Sequence, residues 1–167
     1  MTRLQENAYN AQLAAGLPVS SLADALLVMD DGGVIGRRDC ATYIAAIQQL
    51  AWFTAAFAAH SDPLTVVGGR GRSNADAVTR TIKIGLNNRQ DVGACEQACL
   101  HELAHIVSPD YGPNRELREP RVGRGSSKGH HHAWRVNFVL MVRQTLGKHA
   151  AVRLRSEFNQ WGLSTCR

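Results

Sequence analysis

The feature that most restricts this chain is a helix-forming run that ends in His101-Glu102-Leu103-Ala104-His105. No proline or glycine interrupts residues 94–107, which favours one regular helix from about Gly93 to Val107. Side chains four residues apart share one face of a helix, so the two imidazoles can bind one metal ion. Glu102 lies about 100° around the helix from His101, where its carboxylate can reach a reacting water. The run therefore predicts a metal centre with Glu102 as general base.

A catalytic zinc site needs three protein ligands and an open fourth position. The metzincin extension of the motif would place glycine at position 108 and histidine at 111, where this chain has Ser108 and Tyr111, so that class is excluded. Glu116 and Glu119 follow, but nearby prolines and glycines disfavour the helix that a thermolysin-like ligand requires. The remaining candidates are three consecutive histidines, His130, His131 and His132.

The choice within this triplet depends on where the next helix begins. If the helix starts at His130, the side chains of His131 and His132 lie about 100° and about 200° around the helix axis from that of His130. This geometry disfavours binding of one metal ion by all three. A later start removes that restriction and favours His132. The residues themselves leave these alternatives open.

Leu100 to His105, the loop that follows and His130-x-x-x-Trp134 resemble the SprT-like (Spartan-type) zinc metallopeptidases and their short actinobacterial and phage relatives. The resemblance covers about residues 64–161. It implies that His130 is the third zinc ligand and that Trp134 packs beneath it. The chain has His131 where the family usually has glycine, and it lacks the zinc ribbon that follows the protease domain in many members.

The resemblance also implies an α+β, zincin-like fold, in which a small sheet and flanking helices surround the active-site helix. The implied activity is Zn²⁺-dependent hydrolysis of peptide bonds in a protein or peptide, with Glu102 as the catalytic residue. Thr79–Leu86 would be an edge strand beside the substrate. Tyr111 and His132 are candidates for stabilising the oxyanion. The metal ligands implied are His101, His105 and His130.

Two other classes of function are weighed against this one. A non-catalytic zinc-binding protein would have no use for a general base at Glu102. A nucleic-acid-interacting protein would use the net charge of +5 to attract the negatively charged phosphates. No aromatic residues alternate with the cations, so stacking platforms for single strands are missing. These cations are Arg70, Arg72, Arg115, Arg118, Arg121, Arg124 and Lys128.

The length and composition fit a globular protein without disulfide staples, because 44% of the 167 residues are hydrophobic. We expect residues 1–36 to form a peripheral N-terminal segment that closes at the Asp30–Gly33 turn, and residues 37–167 to form one zincin-like domain. Inside that domain, Thr79–Leu86 alternates as a half-buried strand does. The other predicted elements are a helix from Asp39, its N-cap, to Ala59, a strand at Leu64–Val67, a loop at 108–129, and helices at His130–Leu146 and Lys148–Trp161.

The cysteines, the N-terminus and one uncharged segment predict the cellular compartment of the protein. Four cysteines without a C-x-x-C pair predict small buried residues in a reducing environment. The N-terminus has no secretory apolar core, which predicts a cytoplasmic protein. Residues 40–59 carry no charge and have about the length of a membrane span, but Gln48 and Gln49 lie at their centre, which favours a core helix and no membrane contact. The cysteines are Cys40, Cys95, Cys99 and Cys166.

Overall fold

The computed structural model describes residues 3–108 and 130–165. Within them the chain is mixed α+β, with seven α-helices and one three-stranded sheet. The described residues form two compact units: a central unit of residues 19–107 and a terminal unit of residues 3–18, 108 and 130–165. The α+β class is thus confirmed, whereas the zincin-like arrangement and the division at residue 36 stay predictions.

The central unit is built around a short sheet and the two longest of its helices. Its elements are α2 (Ser21–Leu26), α3 (Arg37–Gln49), α4 (Ala51–Phe57), a 3-10 helix (Ala58–His60), β1 (Thr65–Gly69), β2 (Asn74–Asp76), β3 (Thr81–Gly85), a second 3-10 helix (Leu86–Gln90) and α5 (Val92–Val107). Helices α3 and α5 contact each other, and both contact the sheet. This packing buries the apolar face of α5 and fixes the helix that carries the predicted metal ligands.

The sheet has the order β1-β3-β2, so β3 is its central strand. It runs parallel to β1 and antiparallel to β2. Ile82 and Ile84 are fully buried, as the alternation of this segment predicts. The edge position expected for Thr79–Leu86 is wrong, because β3 is hydrogen-bonded to β1 on one side and to β2 on the other. A three-residue strand such as Asn74–Asp76 is too short to show an alternating pattern.

The helix predicted from Asp39 to Ala59 is divided into α3 and α4. Leu50 between them is extended, with φ −68° and ψ 139°. Gln48 is buried at 2% exposure, and its Nε2 donates hydrogen bonds to the carbonyls of His60 (2.8 Å) and Asp62 (2.9 Å). This amide is therefore satisfied inside the protein, and no helix in the described part of the chain is long and apolar enough to cross a bilayer.

The expected cap of that helix is wrong as well. Gly36 is the N-cap of α3, and Asp39 lies in the first turn, where a carboxylate is favourable beside the positive end of the helix dipole.

The terminal unit contains three helices, α1 (Arg3–Ala14), α6 (His132–Leu146) and α7 (Lys148–Gln160). Gly147 joins α6 to α7 at a φ of +96°, a conformation that glycine adopts without strain. Helix α7 contacts both α1 and α6. The core of this unit is aromatic: Trp134 stacks on Phe138 with ring centroids 5.0 Å apart and meets Phe158 edge to face at 6.2 Å.

Candidate metal centre

Glu96 fixes helix α5 within the central unit. The carboxylate is fully buried and accepts hydrogen bonds from Ser20 N (2.9 Å), Ser20 Oγ (2.5 Å) and Tyr43 Oη (2.6 Å). Ser20 is the N-cap of α2, and Tyr43 lies on α3. One side chain therefore joins three helices five residues before the first predicted ligand. Glu96 was expected only to favour helix formation, and its partners are too distant in sequence to reveal this role.

His101 and His105 lie on one face of α5, as their spacing of four residues predicts. Their rings meet edge to face with centroids 5.1 Å apart. A nitrogen of one ring lies within 4.8 Å of a nitrogen of the other, close enough for both to bind one ion. His101 is 2% exposed, whereas His105 is half-buried.

Glu102 is buried beside these histidines at 3% exposure. Burial raises the pKa of its carboxyl to about 8, and the charge of Lys83 on β3 opposes that rise. The side chain is therefore a proton acceptor of near-neutral strength, the range in which a general base works best.

His130 lies in the terminal unit, immediately before α6, at 2% exposure. Its ring packs edge to face on Trp134 (centroids 4.3 Å apart) and on Tyr9 (5.3 Å). The contact with Trp134 is the one that the family resemblance implies. Burial, followed by the charges of His131 and Arg135, lowers the pKa of His130 to about 3. The ring is therefore neutral at physiological pH, which is the form that binds a metal.

The expected helix start at His130 is wrong, because α6 begins at His132. His131 is its N-cap, and the Nδ1 of His131 accepts a hydrogen bond from the backbone N–H of Trp134 at 3.4 Å. Helix geometry consequently no longer relates the three rings by steps of about 100°. Three identical neighbours give no sequence signal that one of them will serve as a cap.

Arg135 holds the backbone that carries His130, a role that the sequence does not reveal. Its Nη1 donates to the His130 carbonyl at 2.6 Å, and its Nε donates to the Ser164 carbonyl at 2.9 Å. The guanidinium is buried at 8% exposure, and this burial lowers its pKa. Both partners are backbone oxygens, so no charged residue in the sequence marks the contact.

Two donor sets among the described residues could hold a metal ion: Cys40, Cys95 and Cys99, and His101, His105 and His130. A set of three imidazoles fits the donor preference of Zn²⁺ and of other borderline divalent ions. No protein-family model, curated protein or solved structure matches this chain. The chemistry of the site is therefore inferred from its own residues.

The first donor set, which we call the thiol cluster, lies entirely in the central unit. Its three cysteines are buried and unpaired by disulfides. Hydrogen bonds from Cys95 and Cys99 lower the pKa of the Cys40 thiol, and the same contacts with Cys40 raise the pKa values of the other two. The expectation of small buried cysteines is confirmed for these three, but their convergence was missed because Cys40 precedes Cys95 by 55 residues.

Several predicted residues lie outside the part of the chain that the structure describes. They are Tyr111, Glu116, Glu119, Arg115, Arg118, Arg121, Arg124, Lys128 and Cys166.

Proposed function

We propose that this chain is a zinc-dependent metallopeptidase that hydrolyses peptide bonds in a protein or peptide substrate. One observation carries the proposal: Glu102, whose carboxyl is buried, directly follows His101 on α5, and the rings of His101 and His105 share one face of that helix. A site that only held zinc for stability would not need a carboxyl next to its ligands.

In this proposal His101, His105 and His130 hold the ion through neutral imidazole nitrogens. Three protein ligands leave the fourth position of a tetrahedral ion open, as catalysis requires. Bound Zn²⁺ would supply Lewis-acid polarisation of the scissile carbonyl and lower the pKa of water at that position. The low pKa of His130 supports its place in the set, because no proton competes for its nitrogen near pH 7.

Glu102 would take the proton from the attacking water and pass it to the leaving amine. Burial makes this carboxyl a stronger base than an ordinary glutamate, and the positive charge of a bound Zn²⁺ would lower its pKa toward the carboxylate form that accepts the proton. At 3% exposure the carboxyl is shielded from bulk water.

Metal analysis of the purified full chain tests the proposal. We expect about one zinc per chain under the three-ligand rule, and loss of that zinc in a His101→Ala, His105→Ala double variant. His149→Ala is a matched control, because His149 is exposed on α7 and should not affect zinc content. The same comparison in a Cys40→Ser background separates zinc held by imidazoles from zinc held by thiols. About one zinc per chain in the double variant that also carries Cys40→Ser would contradict the proposal.

A non-catalytic metal-binding protein is the second candidate. It is favoured by the depth of the site, since His101 and Glu102 are as buried as the apolar core around them. This candidate predicts zinc binding with no hydrolysis in either the parent or a Glu102→Gln variant.

A nucleic-acid-interacting protein has only the net charge of +5 in its favour. Salt-dependent retention on DNA by a purified chain without zinc would support it.

A further inference from the structure

The thiol cluster is a second group of metal-binding side chains, and the proposed peptidase chemistry does not use it. We propose that Cys40, Cys95 and Cys99 form a separate metal site that takes a soft monovalent cation of the Cu(I) class. This inference goes beyond the proposed function and does not depend on it, because none of the three thiols belongs to the histidine set.

The geometry of the sulfur atoms supports a single shared ion. All three Sγ atoms lie within 4.8 Å of one another, and the Sγ atoms of Cys40 and Cys95 are 3.5 Å apart. Three sulfurs at a metal–sulfur distance of about 2.3 Å around a trigonal ion would be about 4 Å apart. The Cys40–Cys95 separation of 3.5 Å is slightly shorter than that value, and the other two separations are no longer than 4.8 Å. An ion at the centre of the cluster therefore needs only small side-chain movements.

The number of donors favours an ion of low coordination number. In the part of the chain that the structure describes, the set contains three thiols and no fourth histidine, cysteine or carboxylate. Structural zinc is almost always four-coordinate, so three sulfurs alone leave a zinc ion short of a ligand. Thiolates are the soft donors that select Cu(I), which does not require a tetrahedral set.

The cluster joins two helices of the central unit. Cys95 and Cys99 are four residues apart on α5, and Cys40 lies on α3. An ion bound here would link α3 to the helix that carries His101 and His105. The three cysteines are at most 1% exposed, so the ion would enter while the chain folds rather than by diffusion into the finished core. Each thiol that binds as thiolate releases one proton to the solvent.

Anaerobic titration of the reduced full chain tests this site. The chain is refolded with Cu(I) in the presence of a colorimetric Cu(I) chelator, which competes for the ion and reports the amount bound. We expect about one Cu(I) per chain, and at least about a hundredfold loss of affinity in Cys40→Ser, Cys95→Ser or Cys99→Ser. The matched control is Cys166→Ser, which should leave the affinity unchanged.

Because a serine in the core can itself disturb folding, X-ray absorption at the copper edge of the unaltered chain gives a second measurement. Three sulfur neighbours around copper support the site. Copper surrounded mainly by nitrogen would overturn it. Cu(I) uptake by the triple Cys→Ser variant equal to that of the parent, or loss of uptake in Cys166→Ser alone, would also overturn it.

Discussion

The hydroxyl of Tyr43 donates a 2.6 Å hydrogen bond to Oε1 of Glu96 inside the central unit. Burial and the charge of Glu96 raise the pKa of Tyr43 far above its ordinary value, so the hydroxyl keeps its proton and remains a donor. Because Glu96 precedes His101 by little more than one helical turn, this bond fixes the part of α5 next to the candidate metal centre.

Replacing Tyr43 by phenylalanine should lower the free energy of unfolding by about 1.5–3 kcal/mol, the usual contribution of a hydrogen bond to a charged group. Urea unfolding followed by circular dichroism measures the change. Thr54→Val is the control, since Thr54 Oγ1 donates to the Ala51 carbonyl at the surface and its loss should cost under about 0.5 kcal/mol. Equal losses in the two variants would show that the Tyr43–Glu96 bond adds no special stability.

Replacing Glu102 by glutamine should keep the zinc content and lower the rate of peptide hydrolysis by about a hundredfold or more. Glutamine has nearly the same shape but cannot accept the proton of the attacking water. Cleavage of fluorescein-labelled casein, compared with zinc analysis of the same samples, measures both quantities. A variant that cleaves as fast as its parent would assign Glu102 another role.

Replacing His130 by alanine should weaken zinc binding by about tenfold to a hundredfold or more, a loss that occurs even when only a hydrogen-bond partner of a metal ligand is removed. His131→Ala should instead lose the cap of α6, at a cost of about 1 kcal/mol in stability, with zinc affinity retained. His132→Ala should change neither quantity greatly. Zinc competition with a chelator and urea unfolding separate these effects.

Other results would reassign the third ligand. Normal zinc affinity in His130→Ala, together with weak binding in His132→Ala, would move the assignment two residues along the chain. If none of the three histidines matters, Glu116 or Glu119 becomes the candidate.

The stability of the metal-free chain should depend on pH through Glu102. Burial raises the pKa of this carboxyl from 4.5 to about 8, so between those values the folded chain holds a proton that the unfolded chain has released. The free energy of unfolding therefore falls as pH rises through this window, by at most about 1.4 kcal/mol per pH unit. Glu102→Gln does not titrate, so its stability relative to the parent should increase with pH. Urea unfolding in the presence of chelator measures the difference, and a constant difference would contradict the raised pKa.

Local spacing predicted much of what lies within single elements. The four-residue step from His101 to His105 placed both rings on one helix face, because an α-helix repeats every 3.6 residues. The alternation around Ile82 and Ile84 identified the buried face of β3, because successive side chains of a strand point to opposite faces of the sheet. The central position of β3 could not be predicted, since it depends on pairing with a strand of only three residues.

The sequence by itself therefore determined the pair of imidazoles on α5, the carboxyl next to them and the mixed α+β class. Only the tertiary structure decided that Glu96 would bind Ser20 and Tyr43, that His131 would cap α6, and that Cys40 would meet Cys95. The physical reason is that helix periodicity fixes neighbours within about one turn. Contacts between residues tens of positions apart depend on how whole elements pack, and no local spacing records that packing.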